Sequence, residues 1–123
     1  MSSAPSWLNA ILRQFGAGIG LKEFGFNDRG AAVLRFENGS SLRFEYAFES
    51  LVVALQVPVA PEAGTLKHFL AFAQPERRPG FKVRVAYLER DGSVLLAARL
   101  AEREVTLPVL NTVFGELWRL ANP

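Results

Sequence analysis

The spacing of apolar residues switches between a helical and an alternating period along the chain, and each switch marks an element. Trp7, Leu8, Ile11, Leu12 and Phe15 fall at helical spacing, with Asn9, Arg13 and Gln14 on the other side. That is an amphipathic helix, which Ser6 is placed to cap. Gly16, Gly18 and Gly20 follow, and glycine disfavours continuing the helix. Alternation then takes over. Leu34 and Phe36 share one face of a strand, with Val33, Arg35 and Glu37 on the other. Asn38-Gly39 predicts a two-residue type I′ hairpin, because both residues tolerate positive φ. The returning strand sets Leu42, Phe44, Tyr46 and Phe48 against Arg43, Glu45 and Glu49.

Leu51 to Val57 is apolar almost throughout, which predicts a strand covered on both faces. Pro58 and Pro61 break it. A middle helix is expected from Pro61 to Gln74, carrying Leu66, Phe69, Leu70 and Phe72, with Pro75 as its stop. Phe81, Val83, Val85 and Tyr87 then alternate with Lys82, Arg84 and Ala86; Asp91-Gly92 turns the chain, and Val94, Leu96, Ala98 and Leu100 return. Thr106 is placed to cap a last helix with Pro108 in its first turn and Leu107, Leu110, Phe114, Leu117 and Ala121 at spacings of three and four. The predicted fold is α+β, in the order helix–three strands–helix–two strands–helix. An antiparallel twisted sheet packs with the helices in a single domain over residues 1–123.

Composition narrows the chemistry. A chain of 123 residues suits one core. Having no cysteine, it has no disulfide, no thiolate nucleophile and no cysteine-bound zinc. Met1 to Pro5 carry no basic region leading into an apolar stretch, and no apolar run approaches the ~20 residues of a membrane span. A cytoplasmic location is expected.

The formal charge is +2, from 14 basic and 12 acidic residues interleaved along the chain. Only Arg77, Arg78, Lys82 and Arg84 form a local basic cluster, which leaves a nucleic-acid or anion-binding module as one reading. Gly16-x-Gly18-x-Gly20 follows a helix, whereas phosphate loops follow a strand and open a helix. His68 is the single histidine, without an apparent nucleophile or further ligands for a metal. Glu37, Glu45 and Glu49 lie beside Arg35 and Arg43, where cross-strand charge pairing accounts for them. No catalytic, metal or cofactor residue is expected, and the chain reads as a non-enzyme.

The apolar residues say more. Leu95 and Ala97 point opposite to Val94, Leu96 and Ala98, and Val52 and Ala54 opposite to Leu51, Val53 and Leu55. Strands apolar on both faces call for a second cover: a subunit, a bound protein segment, or both, the alternative being helices packed on both faces of a self-contained monomer. Leu66, Phe69 and Phe72 of the middle helix, with Val83, Val85 and Tyr87 of the second hairpin, are the expected subunit contact.

The order of elements, over nearly the whole chain, resembles the class I type III secretion chaperones of the CesT/SycE kind. Two stretches resemble the SycN family within them. One is Ser6-Trp7-Leu8 opening a first helix that ends in Phe15-Gly16 before Ile19-Gly20-Leu21. The other is Val105-Thr106-Leu107-Pro108-Val109-Leu110, followed by Phe114, Leu117 and Leu120. The resemblance implies a chaperone that pairs with a second small chaperone of the YscB type and binds the N-terminal region of a YopN-like gatekeeper, without ATP, metal or cofactor. A homodimeric effector chaperone has the same topology and stays open. On either reading the client groove is expected at the first helix and adjoining sheet, with Trp7, Leu8, Ile11 and Phe15 as contacts.

Overall fold

The computed structural model describes residues 4–58 and 82–121. Helix α1 (Ser6–Gly18) starts directly after Pro5, whose carbonyl accepts the amides of Leu8 and Asn9. The extended ψ of 149° at Pro5 puts the helix entry one residue before Ser6, so the Ser6 hydroxyl is inside the helix and caps nothing. The glycines divide their work differently from the expectation. The helix passes through Gly16 and Gly18 and stops at Gly20, where φ is 88°. Leu21 N–H donates to the Gly16 carbonyl at 2.8 Å and Gly20 N–H to Ala17 at 3.2 Å. Those two bonds make a Schellman ending, which favours glycine at this position. Gly16 is a notch instead: a Cβ there would stand 2.5 Å from Cβ of Phe24.

Strands β1 (Ala31–Arg35), β2 (Ser41–Ala47) and β3 (Ser50–Pro58) form an antiparallel meander. β4 (Val83–Leu88) and β5 (Ser93–Ala101) form a hairpin, and β5 pairs with β3. The sheet order is β1-β2-β3-β5-β4, with β1 and β4 at the edges.

Both turns of the meander depart from expectation. Arg35 pairs with Ser41, and Gly39 N–H donates to the Phe36 carbonyl, so the first loop has three residues, Glu37 to Gly39. Only Gly39 has positive φ. Asn38 stays right-handed and uses its carboxamide oxygen to accept the Ser40 amide at 2.9 Å. The two-residue turn is the next one. Ala47 pairs with Ser50, and Phe48 and Glu49 have φ of 53° and 58°, the signature of a type I′ turn built without glycine. Phe48 therefore leaves the alternating face predicted for it and stands 93% exposed.

Helix α2 (Leu107–Ala121) begins as its sequence suggests: Thr106 Oγ1 accepts the Val109 amide at 3.2 Å, and the Thr106 carbonyl takes that of Leu110. Leu8, Leu12 and Phe15 of α1 and Leu110, Val113, Leu117 and Leu120 of α2 share one buried cluster with Leu42, Phe44, Leu51, Val53, Leu55, Leu96 and Leu100 of the sheet. Removing each large side chain from water contributes about 1.5–3 kcal/mol, so this cluster is what holds helices to sheet. Phe15 meets Phe44 and Phe114 edge-on at 5.3 and 5.7 Å. The expected middle helix, with Leu66, Phe69 and Phe72, lies outside the described residues, as do His68 and Arg77-Arg78.

Candidate functional site

Two surfaces follow from this arrangement, one at α1 and one on the far side of the sheet. On α1 the predicted stripe splits by depth. Leu8 and Phe15 are fully buried and pin the helix to the sheet, as does Leu12; Ile11 is half-buried at the margin of the core. Trp7 is 43% exposed, although it neighbours Leu8, because successive residues on a helix point about 100° apart. The adjoining loop is fastened to the helix by Asn9, whose carboxamide oxygen accepts the Phe26 amide at 3.0 Å. Phe24 and Phe26, half-buried, then pack on the cluster, with Phe24 reaching Phe44 at 5.9 Å. An exposed indole thus stands on a helix whose inner side is fixed.

The far face is read from the register. Across one row, Arg43 opposes Ala54, Ala54 opposes Ala97, and Ala97 opposes Arg84. In the next, Glu45 opposes Val52 and Val52 opposes Arg99. None of these residues belongs to the cluster that the helices cover. At one end an open trough of about 710 Å³ is floored by Val52, Ala97 and Ala101 and rimmed by Lys82, Arg84, Arg99 and Glu49. Sequence reasoning placed Arg84 and Lys82 in a basic cluster with Arg77-Arg78. It missed Arg99, which β-pairing brings to the same place from the adjacent strand. The signal available was the two-faced apolar character of β3 and β5.

The expected subunit residues of the second hairpin fall along edge strand β4, on the helix-covered side. Val83 is buried, Val85 half-buried against the cluster, and Tyr87 37% exposed. Charge pairing is sparser than expected. Arg43 and Glu45 meet at 3.4 Å, but along one strand rather than across two; the cross-strand neighbours of Glu45 are Ala31 and Val52. Among the described residues the only other ion pair joins Arg119 to Glu116. Lys82, Arg84 and Arg99 meet no carboxylate within ion-pair reach there.

One part-buried polar contact ties the sheet to the segment leading into α2. The Tyr46 hydroxyl donates to Glu102 Oε1. That bond first, then burial and the negative charges of Glu102 and Glu49, raise the Tyr46 pKa above its ordinary value. Among the described residues no cluster of His, Asp or Glu could hold a metal, and no helix is long and apolar enough to cross a membrane.

A family model described as the type III secretory system chaperone SycN matches residues 7–123. The curated proteins give no match. Among solved structures, a chain of the ExsC–ExsE complex superposes with a TM-score of 0.71 at 20% identity, covering 98% of this chain and 92% of that one. A chain of the HopA1–SchA chaperone–effector complex gives 0.72 at 18%, covering 94% and 90%. The Yersinia pestis type III secretion chaperone SycH, in complex with a stable fragment of YscM2, gives 0.70 at 20%, covering 92% and 95%. At such identities the likeness is one of fold.

Proposed function

Because the chain belongs to the type III secretory system chaperone SycN family, we propose that it holds the N-terminal region of a secreted gatekeeper protein of the YopN kind. It does so in the bacterial cytoplasm, paired with a second small chaperone of the YscB kind and without a catalytic step. The reading is supported by the complexes in which proteins of like fold were solved, each with a second protein.

The observation that carries the reading is Trp7, a large aromatic left 43% exposed on an otherwise docked helix. A client segment that orders on binding loses conformational freedom, and a few aromatic anchors supply most of what offsets that loss. Trp7, with the half-buried Ile11 beside it, is the anchor, and buried Leu8 and Phe15 keep the helix in place beneath it. Exposed Tyr87 and half-buried Val85, on edge strand β4, are available to the partner chaperone.

The test is co-expression with the N-terminal region of a gatekeeper and its candidate partner chaperone, followed by purification of the assembly. Trp7→Ala is expected to weaken capture by about 2 kcal/mol or more, roughly thirtyfold, with little change in melting temperature. Unchanged capture by the folded variant removes Trp7 from the site. Capture of an effector by a homodimer, with no gatekeeper bound, favours the effector-chaperone reading instead.

A further inference from the structure

We propose that the trough on the sheet face opposite the helices docks an extended, acidic protein segment with carboxylates at alternating positions. Its inner wall is small and apolar, from Val52, Ala97 and Ala101, so a backbone can lie close to the sheet. Its rim carries three cations, Lys82, Arg84 and Arg99, against one carboxylate, Glu49, and none of the three has an ion-pair partner among the described residues. Exposed cations gathered over an apolar floor recruit a complementary anion and fix its register.

Register defines that anion further. Arg84 opposes Ala97, and Arg99 is two residues beyond Ala97 on the same face of β5. Diagonal neighbours of this kind lie about 7–8 Å apart. Side chains two apart on an extended strand repeat at about 6.6–6.8 Å. Carboxylates at positions i and i+2 of one segment therefore reach both guanidiniums. The residue between them faces away from the floor and is free in chemistry.

Other occupants fit less well. A second copy placed face to face brings Lys82, Arg84 and Arg99 together with only Glu45 and Glu49 as opposing charges on this face, and Glu45 is already paired with Arg43. A nucleic acid would supply charge, but no aromatic ring lines the trough to stack a base. The proposal rests on the protein-binding reading above but concerns a separate surface, and its test leaves that surface out.

The probe is a fluorescein-labelled peptide of twelve residues alternating Glu and Val, with a Gln–Val peptide and a twelve-nucleotide single-stranded DNA as comparisons. Anisotropy is measured with the full chain at low and moderate salt. The Glu–Val peptide is expected to bind at least tenfold more tightly than either comparison, and to weaken as salt is raised. Arg84→Gln combined with Arg99→Gln should reduce its affinity at least tenfold, and Lys82→Gln, outside the strands, should reduce it severalfold. An unchanged thermal transition shows that the variants fold; should the double variant unfold, Lys82→Gln decides. The peptide assay reads the trough and not the Trp7 surface, so this proposal and the client reading can fail independently. Equal affinity for the Gln–Val peptide, tighter binding of the DNA, or no loss in the folded variants overturns the proposal.

Discussion

Replacing Phe48 by Asn and Glu49 by Gly should stabilise the protein, even though the change deletes an aromatic ring. Both positions carry the left-handed backbone of a type I′ turn, at φ 53° and 58°. For a residue with a Cβ that conformation costs on the order of 1–2 kcal/mol. Asn accepts it more readily and Gly at no steric cost, although Gly returns about 0.5–1 kcal/mol through the freedom it adds to the unfolded chain. The ring gives nothing back, since Phe48 is 93% exposed. The Glu49 carbonyl keeps its bond from Glu102 N–H, because that contact is backbone. The net gain of Phe48→Asn with Glu49→Gly is therefore about 1–2 kcal/mol, or roughly 3–8 °C in Tm for a domain of this size. Urea unfolding followed by far-UV circular dichroism measures it, as a higher midpoint at an unchanged slope. A midpoint at or below that of the parent refutes the strain argument.

Three further substitutions probe the fold from other directions. Gly16→Ala and Gly18→Ala should have opposite signs: Gly18 has open space around it and gains about 0.5–1 kcal/mol from helix propensity, whereas Gly16 loses about 1–3 kcal/mol to the Phe24 contact. Thermal melts of the two variants settle it, and stabilisation by Gly16→Ala defeats the notch. For Tyr46, the native state keeps a proton that the unfolded chain has lost above about pH 10. The stabilisation is full below that pH and disappears as pH rises through the raised native value. Tyr46→Phe should therefore flatten the fall of the urea midpoint above about pH 10; a slope equal to the parent's removes the hydrogen bond from the account.

The amphipathic stripes of the two end helices and the alternation of β2 were legible in the sequence because their periods are set by the side chains that become core. Leu8, Leu12 and Phe15, like Leu110, Leu117 and Leu120, fall at helical spacing and are buried together. Turns were less legible. Asn38-Gly39 has the composition of a type I′ turn, but the Asn38 carboxamide holds the backbone right-handed and adds a residue to the loop. Phe48-Glu49 has no turn composition at all, and adopts the turn because the pairing of β2 with β3 leaves only two residues to reverse the chain. The trough shows the same limit. Arg84 and Arg99 are fifteen positions apart in the sequence, and only the β4–β5 register makes them neighbours. Depth along a stripe was also hidden: periodicity groups Trp7 with Leu8 without showing which one the sheet covers.

The sheet's inner face has a consequence for synthesis. The meander β1–β3 is complete once Pro58 is made, but half of its cover, Leu110, Val113, Leu117 and Leu120, belongs to α2. Ribosomes add roughly 5–20 residues per second, so several seconds separate β3 from the helix that covers it. Until Ala101 is made Leu51, Val53 and Leu55 lack β5 beside them, and until α2 follows they lack its cover. A member of a chaperone family thus spends its own birth with a bare apolar surface. Translation arrested before Leu107 would leave a nascent chain that needs shielding itself.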